Sequence, residues 1–287
     1  MQGELLPDTL KRLWKSVEDK QLSSQEFQQK QDSLLNEYRS LWERSLLLDG
    51  CSDLRQSTLF EIGSYVGKHD MNEVETLCSQ ALAEIRGEWH EKVASIDEKS
   101  VEMFYDKSQG MLYELMWWHT LIDDLSPLAY VVALKFARQN GCGSYLDFGS
   151  GVGSGAILFA RNGMSATLAD ISSTALNFST WRFAKRNLAA RHIDLKAERL
   201  PEDAFDFITA MDVFEHLVDP TKTVRDLSAA LKKGGYLFGR FHAESDPDRP
   251  HHIILDFGPT LRELESHGFV KVWQDEWLWG HQVYRKL

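Results

Sequence analysis

Between residues 146 and 155 the chain reads Leu-Asp-Phe-Gly-Ser-Gly-Val-Gly-Ser-Gly, so a carboxylate, Asp147, stands two positions before the alternating glycines Gly149, Gly151 and Gly153. Lacking Cβ atoms, such a run can turn sharply and lay backbone N–H groups against a ligand. Asp170 follows 23 residues after Asp147, the separation expected of an acid that accepts hydrogen bonds from two ribose hydroxyls. The pair predicts a nucleoside-like ligand crossing a glycine loop. A tight turn alone would explain the glycines but not the strand before them, the helix after them and the second acid. Dinucleotide loops cradle a pyrophosphate and usually carry an uncharged residue before the first glycine. Asp147 would repel a diphosphate there and suits an ammonium and a sulfonium, which favours S-adenosylmethionine over a nicotinamide cofactor.

Further reactive side chains lie in the segment 240–257, Arg-Phe-His-Ala-Glu-Ser-Asp-Pro-Asp-Arg-Pro-His-His-Ile-Ile-Leu-Asp-Phe, which holds His242, His251, His252, Asp246 and Asp248. Methyl transfer from a sulfonium is an in-line displacement of an already activated group, so orientation can carry much of it; a hydroxyl acceptor adds the need for a nearby base. The three histidines are candidates for that base or for acceptor contacts, with a solvated polar loop as the plainer alternative. No helical i, i+4 pair and no closed ligand spacing points to a metal. His216, after Glu215, is expected to hydrogen-bond beneath the cofactor site rather than to react. From 104 to 119 the chain is unusually aromatic. Aromatic faces suit a sulfonium cation or a flat acceptor, with Tyr105, Tyr113 and His119 as candidates, whereas Trp117 and Trp118 read as packing between helices.

The elements that must hold these groups follow from periodicity. Residues 1–100 contain one proline and apolar stripes at helical spacing, such as Val74, Leu77, Cys78, Ala81, Ile85, Trp89 and Val93, and Ser23 with Glu26 forms a capping box. They read as an all-α N-terminal domain, followed by aromatic lid or linker helices at 101–139 and a cofactor-binding domain at 140–287. Ser126-Pro127 starts a helix that Gly141 and Gly143 end. Strands are predicted at 144–148, 166–170, 192–196, 205–210 and 236–241. Helices follow Gly153, cover about 173–189, and begin at Asp219-Pro220 and near 260, while 232–235 (Lys-Lys-Gly-Gly) turns the chain. The connection between 269–274 and 281–286 is so short that these two strands must be antiparallel neighbours. The alternation predicts a mostly parallel sheet covered by helices.

In these residues the sequence resembles the class I S-adenosylmethionine-dependent methyltransferases. The stretch 146–155 matches that family's strand acid and Gly-x-Gly-x-Gly, and Asp170 matches its ribose acid. Residues 205–220, Phe-Asp-Phe-Ile-Thr-Ala-Met-Asp-Val-Phe-Glu-His-Leu-Val-Asp-Pro, look like the subgroup that includes ubiquinone-type O-methyltransferases. The resemblance covers residues 140 to 287. It implies an α/β, Rossmann-like seven-stranded sheet in the order 3-2-1-4-5-7-6, with the last strand antiparallel. It further implies that Gly149, Ser150, Gly151 and Gly153 line the methionine part of the cofactor, that Asp147 orients the loop, and that Asp170 holds the ribose with Ile171 against the adenine. Met211 and Asp212 would face the methionyl end. The family's loop after the third strand usually carries a Gly-Asp-like stretch; this chain has Glu198, Arg199 and Leu200 there instead, so the adenine border departs from the pattern.

Composition limits the partners. The 287 residues carry a formal net charge of −11, and 12 Lys+Arg against 19 Asp+Glu in the first hundred place seven of those charges in the helical part. With no basic stripe, a nucleic-acid backbone is not an expected partner. No run of eighteen apolar residues could span a bilayer, no secretion signal is evident at the start, and three scattered cysteines suggest no disulfide framework; the expectation is a cytosolic protein. The expected function is methyl transfer to a small-molecule acceptor, oxygen preferred, with the N-terminal helices as a lid, an acceptor-pocket wall or a homodimer contact. The alternatives are a cofactor-sensing interaction protein without transferase activity and a protein or RNA methyltransferase.

Overall fold

Short β-branched and aromatic runs form the strands, and the apolar stripes between them form helices that cover the sheet. The structure is a computed structural model that describes residues 4–108, 110–121, 127–243 and 246–287. Seven helices come first: α1 (Leu6–Glu18), α2 (Ser24–Leu46), α3 (Leu54–Val66), α4 (Met71–Lys92), α5 (Glu98–Lys107), α6 (Gly110–Trp118) and α7 (Leu128–Gln139). The strands β1 (Ser144–Phe148), β2 (Ser165–Asp170), β3 (Arg191–Asp194), β4 (Phe205–Ala210) and β5 (Leu231–Arg240) then alternate with α8 (Ser154–Arg161), α9 (Ser173–Lys185) and α10 (Pro220–Ala230). The chain ends with α11 (Gly258–Ser266), β6 (Phe269–Gln274) and β7 (His281–Lys286). The sheet order is β3-β2-β1-β4-β5-β7-β6. β1 to β5 pair in parallel, and β7 lies antiparallel between β5 and β6, as expected from the short final connection.

Local signals explain the main boundaries. Ser23 accepts from the Glu26 N–H and the Glu26 carboxylate accepts from the Ser23 N–H, closing the capping box that starts α2. Asp219 caps α10 through the Lys222 N–H, with Pro220 at the first helical position. The Ser126 cap expected for α7 lies outside the described residues. The fifth strand departs most from the sequence reading, beyond β3 ending at Asp194 instead of 196 and α9 at Lys185 instead of about 189. Residues 232–235 are not a turn ahead of the fifth strand but an excursion within it: Leu231 pairs with Phe205, and pairing resumes at Tyr236 with Phe207. The Lys232 ammonium anchors that excursion on Asp206, 2.8 Å away. No helix among the described residues is long and apolar enough to cross a membrane.

The helical part packs directly into the sheet layer. Leu6, Leu10, Tyr38 and Trp42 share one apolar core with Leu134, Tyr145 and Phe159. The Trp42 indole donates to the Thr120 carbonyl at 2.7 Å. A charged tie is buried beside this core. Glu61 on α3 accepts from Arg182 Nε at 3.2 Å and Nη2 at 3.3 Å, and from Arg186 Nη1 and Nη2, both arginines belonging to α9 or its C-terminal cap. Burial opposes ionisation of Glu61, but the two guanidiniums outweigh it and hold its carboxyl below the usual range. Taking away the only carboxylate of such a cluster strands buried cations, which costs about 3–5 kcal/mol. Glu61→Ala should therefore lower the urea-unfolding free energy by that order, whereas Glu75→Ala, in the exposed pair with Arg55, should change it by less than about 1 kcal/mol.

Candidate functional site

The glycine loop forms because β1 ends at the sheet's carboxyl edge and its neighbours leave no room for side chains. Gly149, Gly151 and Gly153 have φ of +66°, +49° and +77°, values that L residues adopt only under strain. A Cβ on Gly149 would meet Val213 at 2.5 Å, and one on Gly155 would sit 2.1 Å from the Tyr130 ring. The loop is pinned to β2: Gly149 N–H donates to the Ala169 carbonyl at 2.8 Å, and Gly151 N–H donates to Asp170 Oδ2 at 2.8 Å. From beneath, Arg182 Nη1 donates to the Val152 carbonyl and to Ser154 Oγ, each at 2.8 Å. The cation neutralised by Glu61 thus also braces the loop.

Asp147 lies under this loop, fully buried and away from the cavity. Its Oδ1 accepts from Thr209 at 3.0 Å and from Tyr130 at 3.4 Å. Desolvation pushes its pKa up to about 7, against the opposing hydrogen bonds of Thr209 and Tyr145. This weakens the argument that a full charge at Asp147 selects the ligand, because burial takes much of that charge away. A folded-state pKa raised above the ordinary 3.8 contributes stability below pH 3.8 that is lost as the pH rises through about 7. From pH 5 to pH 8, urea unfolding of the wild type should lose on the order of 2–3 kcal/mol more than that of Asp147→Asn.

Above the loop, a cavity of about 250 Å³ opens between the sheet edge and a roof formed by α5, α6 and the loop after β5. Gly149, Ser150, Gly151, Asp170, Ile171, Met211 and Asp212 all line it. Gly153 does not, and instead serves as the N-cap of α8. In the roof, Tyr105 lines the cavity, held there because the neighbouring Asp106 accepts from the Ser173 N–H at 2.8 Å and Lys196 at 3.2 Å. His119 and Trp118 line it too, so Trp118 is more than packing between helices. Tyr113 faces the other way, into a core with Ile62, Val74 and Phe178. Glu198, Arg199 and Leu200 border an adjoining hollow, with Leu195 the residue after β3 that reaches the main cavity. His251 and His252 line the cavity, whereas His242 is exposed and lies outside its lining. No residue of α1 to α4 lines it.

Sequence reasoning passed over several wall residues, among them Glu114, Arg240 and Arg249. A sign of them was present in the sequence, since Arg240 ends the fifth strand at the edge where ligands bind. Their environments split the acids in two. Burial raises Glu114, and burial together with the Asp212 charge raises Glu215 to about 8. Asp212 is driven the other way: burial opposes its charge, but His281, His119 and Arg240 overcome it and hold the carboxyl below the usual range. Arg240 Nη1 donates to Asp212 Oδ1 at 3.4 Å, and Asp212 has φ +48°, a strained backbone at the cavity wall.

The sheet order, the glycine loop and the acid ending β2 define a class I S-adenosylmethionine-dependent methyltransferase. A sequence profile described as "Methyltransferase domain" matches residues 117–281, more than half of the chain, and the chain belongs to that family. It is 29% identical over 151 residues to a ubiquinone biosynthesis O-methyltransferase of Coxiella burnetii, a match covering 50% of this chain and 62% of the relative. It is 24% identical over 153 residues to the enzyme of that name from Aliivibrio fischeri, with the same coverages. The match therefore spans less than two thirds of these relatives. Among solved structures, the PH0226 protein of Pyrococcus horikoshii superposes with a TM-score of 0.47 at 16% identity, covering 63% of this chain and 93% of that one. The YcgJ protein of Bacillus subtilis gives 0.44 at 20% identity, covering 51% and 71%.

The cavity fits the cofactor of this class. Ser150 Oγ is buried at its wall without a hydrogen-bond partner, and such an orphan is expected where a polar ligand belongs. Asp170 uses one lone pair on each oxygen for Gly151 N–H and Ser172 N–H, leaving acceptor capacity for hydroxyl donors. Asp170→Ala should weaken S-adenosylmethionine binding by roughly 1–3 kcal/mol in calorimetric titration.

Proposed function

We propose that this protein transfers the methyl group of S-adenosylmethionine to a small molecule bound under the roof of α5 and α6, with oxygen as the preferred acceptor atom. The observation that carries the reading is one cavity lined both by the glycine loop with Asp170 and by the Met211-to-His216 segment with the roof. The bound cofactor supplies an activated methyl on sulfur; the chain's own residues hold and orient. Gly149 and Gly151 give close backbone approach, and Asp170 is the ribose acceptor. Tyr105, Trp118 and His119 cover the cavity and exclude water, which strengthens each polar contact inside it. Asp212, held ionised, is available to accept a hydrogen bond or a proton from an acceptor hydroxyl, while Glu215, with its pKa raised to about 8, carries its proton near neutrality and can donate. His216 and His251, lowered by burial to about 3 and about 2, stay neutral and are weak bases, so we assign His251 to an acceptor contact rather than proton removal, with His252 beside it at the cavity wall. The oxygen preference is supported by the distant ubiquinone O-methyltransferase relatives.

Incubation with methyl-labelled S-adenosylmethionine and a native metabolite extract should place label in the small-molecule fraction. Asp212→Asn should reduce that turnover by about 100-fold with little change in cofactor affinity, the range expected for loss of an acid–base group. Label found only in protein or RNA would overturn the small-molecule reading.

A further inference from the structure

We propose that His216, His251 and His252 form a binding site for a divalent transition-metal ion of the zinc type at the acceptor side of the cavity. The sequence shows no such set, because the three imidazoles come from two loops 35 residues apart. The fold zips those loops together: the Ile253 and Ile254 N–H groups donate to the Glu215 carbonyl at 2.8 and 3.2 Å. One ring nitrogen of each histidine lies within 4.8 Å of the other two, and the ring centroids are 4.8 to 5.2 Å apart. A tetrahedral ion with Zn–N bonds of about 2.0–2.1 Å needs nitrogens about 3.3 Å apart, so modest side-chain rotations close the set.

Two further features single out this cluster. His216 Nδ1 lies 3.0 Å from both the His251 carbonyl and the Tyr105 hydroxyl; in the tautomer in which it donates to the carbonyl, Nε2 is left with its lone pair for a metal. A metal-ligating histidine is commonly held by such a bond to a backbone carbonyl. His251 Nδ1 is buried without a hydrogen-bond partner, a cost that a metal bond would remove. Asp212, ionised on the same wall, offsets the Arg249 charge facing the cluster. Three imidazoles select zinc, cobalt or nickel over magnesium, whose preference is for oxygen. With three protein ligands, a four-coordinate ion keeps one position for water or for an acceptor oxygen. That last role rests on the methyl-transfer reading; the ion site itself does not.

The test uses the full chain stripped with a chelator. Titration with Zn2+ should show one ion per chain, Co2+ should give visible d–d absorption, and millimolar Mg2+ should not compete. His251→Ala and His252→Gln should each weaken Zn2+ binding at least about tenfold, while His90→Ala on the exposed face of α4 should not. S-adenosylmethionine titration of each metal-free variant reports whether the fold is intact, and if His251→Ala fails to fold, His252→Gln decides. Absence of stoichiometric Zn2+, or equal affinity in the folded variants, overturns the metal site. Zinc binding without cofactor binding would instead sink the methyltransferase reading and leave the ion site standing.

Discussion

The buried guanidinium of Arg182 is the contact on which both halves of the molecule depend. A cation out of water must have its charge balanced and its N–H groups satisfied, and here the two needs are met from opposite sides. Glu61 of the helical part supplies the negative charge, which it shares with Arg186, and Val152 and Ser154 at the glycine loop accept from Nη1. The planar fork of arginine makes this geometry available where a lysine could not reach both sides at fixed angles. The loop's shape is thereby tied to the packing of helices that never touch the cavity.

Burial does different things to different groups around the cavity. Where burial meets no cation, as at Asp147, or is joined by the like charge of Asp212, as at Glu215, it favours the neutral form; where the cationic partners prevail, it is overcome, as at Asp212. The division of labour among nearly identical carboxyls therefore comes from neighbours rather than from residue type. Histidine shows the same effect in reverse, since the buried imidazoles of His216 and His251 lose their basicity and keep their lone pairs.

The strands were legible because the parallel sheet leaves short apolar runs bounded by glycine, and the final antiparallel pair because its connection admits only one geometry; their order in the sheet came from the resemblance to the methyltransferase family. The loop and Asp170 were legible because their spacing is local to one strand-helix-strand unit. What could not be read was set by packing between distant segments. Tyr113 and Tyr105 sit on neighbouring helices in similar contexts, yet one faces a core and the other the cavity. His242 and His251 share a loop, but only the second is drawn against the Glu215 turn by backbone bonds formed after the loop folds back. The shift at 232–235 arose from a side chain, Lys232, finding Asp206 on the adjacent strand. Arg182 on its helix gave no sign that its partner lay 121 residues earlier.

The contact between Gly155 and Tyr130 constrains how this protein could change over time. A methyl group at 155 would occupy space already held by the ring, so the two positions cannot drift independently. The ring's hydroxyl also reaches Asp147, which means that shrinking Tyr130 first would open a void and remove a hydrogen bond from the acid beneath the loop. Either order of substitution passes through a damaged intermediate. Gly155, in the first turn of α8, is thus held small by Tyr130 on α7 as well as by its place in the cavity wall.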